Sequence, residues 1–133
     1  MATDKQIGSK EKVTLEYELS SQSIPMIWEA IATAAGLASW FADDAVSDGK
    51  LFTFTWGKSE TRQAEMINCR QQAYVRFHWL DEVPGTYFEI RITKNELTQK
   101  CVLVITDFAE ADYPAEARSL WDSSIDTLRR CGL

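Results

Sequence analysis

An amphipathic stripe near the end of the chain limits its architecture more than any other feature. At about 100° per residue, Ala117, Trp121, Ser124, Ile125, Leu128 and Cys131 fall in one arc roughly 120° wide. The opposite arc holds Glu116, Ser119, Asp122, Ser123, Asp126, Thr127, Arg129 and Arg130, all polar. Asp112, Pro114 and Glu116 form a start signal, with acids at the positive end of the helix dipole, while Arg129, Arg130 and Gly132 form the complementary stop. Such a helix, over about residues 113–131, must lie on something apolar. At about 1.5 Å per residue it is ~28 Å long, enough to cross five or six strands.

The preceding residues supply those strands. Val13, Leu15, Tyr17 and Leu19 alternate with Thr14, Glu16 and Glu18, the period-2 pattern of a strand with one wet face. The pattern then switches to helical spacing: Ser23 can cap, Pro25 suits a first turn, and Ile24, Ile27, Trp28 and Ile31 recur on one side. Gly36 is expected to end this helix, with Leu37, Trp40 and Phe41 in a second short one. After the Asp48-Gly49 turn come strands over 51–56, 60–69, 73–80, 86–93 and 101–108, with Pro84-Gly85 the clearest turn among them. The strand over 101–108 is apolar at consecutive positions (Val102, Leu103, Val104, Ile105), which predicts cover on both faces. Short connections imply antiparallel neighbours, since a parallel crossover needs a dozen or more residues. The expected fold is therefore α+β: a curved antiparallel sheet of about six strands, two short helices, and a long C-terminal helix in the concave face.

The 133 residues make one domain over 13–133 with a flexible N-terminus over 1–12, and 15 aromatic residues are too many for an unfolded chain. A net charge of −6 argues against nucleic acid or an anionic bilayer as partner. The longest uncharged stretch, 30–42, is too short to span a membrane. The first dozen residues carry no apolar run, and Cys69, Cys101 and Cys131 form no pairing motif, so the expected location is cytoplasmic.

These elements, in this order, resemble the helix-grip fold of the Bet v 1-like/START (SRPBCC) superfamily, closest to domains similar to the activator of heat-shock-protein-90 ATPase. The matching pieces are the helix from Ile24 through Trp28 to Ile31, the run Gly36-Leu37-Ala38-Ser39-Trp40-Phe41, and Gly49 ahead of Phe52-Thr53-Phe54-Thr55-Trp56. The strand Val75-Arg76-Phe77-His78-Trp79, the stretch 103–108 and the helix through Ser119-Leu120-Trp121-Asp122 complete the set. Two positions depart from the pattern: Leu120, where similar domains often carry Gly, and Asp107, where they often carry His. The resemblance implies a grip that holds a hydrophobic small molecule such as a lipid or an aromatic metabolite. A co-chaperone-like interaction protein is the alternative, and a cyclase-like enzyme a third. Fold analogy supplies only a prior among these.

Local motifs assign no catalytic residue, metal site or cofactor. There is no Gly-x-Ser-x-Gly and no Gly-x-Gly, the three cysteines are isolated, and the one histidine, His78, belongs on the outer face of a strand. The acidic residues around the terminal helix read as a solvated face. If each strand turns its more aromatic side inward, Phe52, Phe54, Trp56, Phe77, Trp79, Phe88 and Trp121 line the space beneath the helix as ligand-binding candidates. Asp107 ends an otherwise apolar strand. Pointing inward it would need a partner, Arg76 or Arg91 for example, and would be the polar handle for a ligand.

Overall fold

The computed structural model describes residues 10–112 and 114–133. Strand β1 spans Lys10–Glu18 and pairs along its length with the last strand, Val13 facing Asp107 and Tyr17 facing Leu103. Lys10, Glu11 and Lys12, expected in a flexible segment, already belong to this ladder, and residues 1–9 lie outside the described residues.

Two short helices follow, α1 (Ile24–Ala32) and α2 (Ala34–Leu37). Ser23 caps α1, its hydroxyl accepting from the Met26 N–H at 3.3 Å. Thr33 serves both helices: its hydroxyl donates to the Glu29 carbonyl at 2.8 Å and accepts from the Gly36 N–H at 2.9 Å. The helix end expected at Gly36 therefore falls at Thr33, and Gly36 lies inside α2. Its glycine has a packing cause. A Cβ there would stand 2.0 Å from the Glu29 carbonyl oxygen and 2.8 Å from the Ala30 Cα, both backbone atoms. Gly36→Ala is expected to cost about 1–3 kcal/mol by forcing α1 and α2 apart, read from chemical denaturation.

Strands β2 (Asp44–Asp48), β3 (Leu51–Trp56), β4 (Glu60–Arg70), β5 (Tyr74–Trp79), β6 (Phe88–Lys94) and β7 (Cys101–Glu110) then run as a meander. The curved, open sheet has seven antiparallel strands in the order β1-β7-β6-β5-β4-β3-β2, one more than the periodicity predicts. The extra strand is β2, an edge strand that buries only Ala45 and leaves Val46 58% exposed, so it carries little apolar alternation to read. In β4 a bulge between Met66 and Asn68 shifts the register against β5. The inward rows are Leu15 and Tyr17 on β1, Phe52 and Phe54 on β3, Val75 and Phe77 on β5, Phe88, Ile90 and Ile92 on β6, and Leu103 and Ile105 on β7. Cover on both faces of β7 is not found: Val102, Val104 and Thr106 are only half-buried, on the face turned away from the terminal helix.

Helix α3 (Pro114–Arg130) lies across the inward face through Trp121, Ile125 and Leu128. Polar contacts fix it to β1. The Tyr17 hydroxyl donates to Asp122 Oδ1 at 2.6 Å, and Arg129 donates to the Glu18 carbonyl at 2.8 Å. Burial first, then the hydrogen bond to Asp122, hold the Tyr17 phenol above its ordinary range. Past the helix, the Leu133 carbonyl accepts from the Ser20 N–H at 2.8 Å, tying the C-terminal end to the connection before α1. Among the described residues no helix is long and apolar enough to cross a membrane.

Candidate functional site

The space under α3 is filled at its centre by aromatic rings. Phe41, just beyond α2, is the hub: its ring lies 5.1 Å from Phe54, 5.4 Å from Phe88, 5.7 Å from Trp121 and 5.9 Å from Trp56, centre to centre. Behind it Phe77 packs 5.1 Å from both Phe88 and Phe52. Phe52, Phe54, Phe77 and Phe88 are all buried in this cluster. Trp56 is half-buried at its margin, its indole N–H donating to the Phe41 carbonyl at 3.0 Å. Of the eight ligand-binding candidates, the structure brings Trp79, Asp107 and Trp121 to an open cleft and places the others in or beside the packed rings.

That cleft, about 230 Å³, opens where the first turns of α3 approach the ends of β5 and β7. Asp107 lies on the inward face of β7. Its Oδ2 accepts from the Trp121 indole N–H at 2.8 Å and its Oδ1 from the Phe108 N–H at 2.7 Å. The carboxyl thus sits against the residue that clamps α3 to the sheet. Burial raises it above the ordinary aspartate range, and the hydrogen bonds from Trp121 and Phe108 offset only part of that rise.

The partners suggested for Asp107 by the sequence are elsewhere. Arg76 and Arg91 lie on the opposite face of the sheet, where both bind Glu89, Arg76 at 2.8 Å and Arg91 at 3.0 Å. Burial pushes Glu89 up, but the hydrogen bonds from Arg91 and Arg76 outweigh it and hold the carboxyl below its usual range. Each arginine also covers a tyrosine ring, Arg76 on Tyr87 at 4.3 Å and Arg91 on Tyr74 at 4.2 Å. His78 shares that outer face, its Nδ1–H donating to the Thr86 carbonyl at 2.8 Å.

The rim of the cleft comes from residues that the sequence does not single out. Arg62 stands opposite Phe54 in the β3–β4 register and so points inward at the end of the sheet. It donates to Asp81 through Nε at 3.0 Å and Nη2 at 2.7 Å, with its guanidinium carbon 4.0 Å over the Trp79 ring. The hydrogen bond from Arg62 keeps the Asp81 carboxyl low. Lys10 joins the β1 end to both Glu82, at 3.3 Å, and Glu110, at 3.8 Å. Tyr87, Glu116, Ala117 and Leu120 complete the walls. Among the described residues no group of three or more His, Cys, Asp or Glu is placed to hold a metal ion.

A family model described as a START-like superfamily domain matches residues 7–131. The chain belongs to the START-like superfamily. Among solved structures it is similar to BfR322 from Bacteroides fragilis, an NMR structure 50% identical in sequence, over 92% of this chain and 91% of that one, with a TM-score of 0.65. The Aha1 dimer from Colwellia psychrerythraea is 15% identical over 90% of this chain and 93% of its own, with a TM-score of 0.73. DynU16, from the dynemicin biosynthetic locus, is 16% identical with the same TM-score of 0.73, over 90% of this chain but 46% of its own. These last two establish the shared fold. No curated protein matches the chain.

Proposed function

We propose that this START-like domain is a binding module without catalysis, holding a small aromatic or amphipathic molecule in the cleft between α3 and the ends of β5 and β7. The observation that carries this is Asp107, a carboxyl set against Trp121 in an aromatic-walled opening while the centre of the grip is packed. Size favours a metabolite over a lipid. At about 230 Å³ the cleft falls below the roughly 300–1,000 Å³ of pockets for drug-sized ligands. The acyl chain of a lipid would have to displace the rings around Phe41, each in contact with several others.

A two-dimensional NMR screen against aromatic metabolites and fatty acids tests this. Shifts confined to Asp107, Ala117 and Trp121 with the small aromatics are expected. Shifts running through Phe54 and Phe77 with fatty acids would contradict it. Leu120 sets the upper size. It lines both this cleft and a neighbouring depression that holds Phe41 and Trp56, and it is 71% exposed. Leu120→Ala is expected to change stability by no more than about 0.5 kcal/mol while admitting larger ring systems, measured by denaturation and by the same screen.

A further inference from the structure

The charge of the ligand follows from which groups around the cleft are already paired. Both cations in the lining are engaged: Lys10 with Glu82 at 3.3 Å and Glu110 at 3.8 Å, Arg62 with Asp81 at 2.7 Å. Asp107 has only neutral N–H donors, and Glu116, exposed on the first turn of α3, enters no ion pair among the described residues. An anion entering here meets surplus carboxylate with no uncommitted cation to receive it. A neutral molecule leaves Asp107 with no ion pair of its own, since Lys10, the cation whose charge reaches it, is shared with Glu82 and Glu110. Arg62 already covers Trp79 at 4.0 Å and Arg76 covers Tyr87 at 4.3 Å, so the aromatic lining without a cation over it is Phe108 and the little of Trp121 that is exposed.

We propose that the cleft selects a small organic cation, a protonated amine on an aromatic or short apolar body. Its ammonium faces Asp107, with Glu116 at the mouth, and its body lies against Trp121 and Leu120. This rests on the binding role assigned to the cleft above. In a site partly closed to water, the ammonium gains a charge-assisted hydrogen bond from the carboxylate, while the apolar body packs on Leu120 and Phe108 beside Trp121.

The test compares three probes of one shape on the full chain by NMR titration: phenethylamine, phenethyl alcohol and hydrocinnamate. The amine is expected to bind at least about tenfold more tightly than either of the others, shifting Trp121 and Ala117. Asp107→Asn, which keeps the shape of the side chain, should reduce the preference for the amine over the alcohol to the severalfold part that Glu116 supplies. Glu116→Gln, an exposed change that leaves the Asp107–Trp121 contact intact, should weaken the amine severalfold and leave the alcohol unaffected, and it serves as the test if Asp107→Asn does not fold. If the alcohol or hydrocinnamate binds as tightly as the amine, or if Glu116→Gln weakens amine and alcohol alike, the cationic assignment is overturned and the cleft remains a binding site. If none of the three shifts any cleft residue, the binding role itself fails.

Discussion

Trp121→Ala is expected to destabilise the chain by about 3–5 kcal/mol, the largest effect of any single substitution considered. Three losses combine. The indole is buried in the seam between α3 and the sheet, its ring lies 5.7 Å from Phe41 and 5.9 Å from Phe88, and its N–H is a donor to the part-buried Asp107. Truncation removes the apolar area and the ring contacts, and it leaves the carboxyl with the Phe108 N–H as its remaining donor. Trp121→Phe separates these contributions, since it restores most of the ring while still withholding the donor. A urea titration of both variants reads the difference. A cost below about 1 kcal/mol for the alanine variant would mean that α3 is not held through this residue.

Phe41→Ala is the second large effect, about 3 kcal/mol, toward the lower end for a Phe-to-Ala change because the ring is half-buried. Its consequence for binding is more specific than its cost. Removing the hub empties the space between Phe54, Phe88 and Trp121 and joins it to the depression beside Trp56, an apolar recess of the size of a benzene ring. The variant should therefore bind benzene or indole in the centre of the grip, seen as shifts at Phe54 and Phe88, where the parent chain shows none. Equal binding by the parent chain would mean that the centre is open already.

The terminal helix was the most legible element, because its apolar arc is narrow and its neighbours are uniformly polar: Trp121, Ile125 and Leu128 are the residues that it buries. The inward rows of β5 and β6 were legible for the same reason. Edge strand β2 was not, since five residues with one buried side chain carry no usable period. Gly36 misled because a glycine required by close approach between helices looks the same in sequence as one that ends a helix. The two faces of β7 misled in another way: Val102 and Val104 are apolar without being covered.

The candidate site was legible only in part, and the reason is geometric. Alternation assigns a ring to the inward face but not to a packed or an open position. Here the deciding residue is Phe41, which the spacing places in the second short helix but which lies beyond the end of that helix at Leu37. Asp107 could be marked as out of place in its strand, yet its partner comes from a helix 14 residues further on, while the nearby arginines serve Glu89 on the other face. Arg62 and Lys10 gave no local signal, because their roles depend on where the strand ends meet.

The docking of α3 and the cleft beside it both depend on Trp121 and Asp107 being bound to one another where α3 meets β7. Following the tryptophan indole N–H resonances against pH in the intact protein tests this directly, because the deshielding of a proton donated to a carboxyl changes when that carboxyl titrates. The Trp121 signal is predicted to move through an inflection above 3.8, the ordinary value for an aspartate, since burial raises Asp107. A Trp121 signal that does not titrate, or one with its inflection at or below 3.8, would contradict the docking of α3 described above.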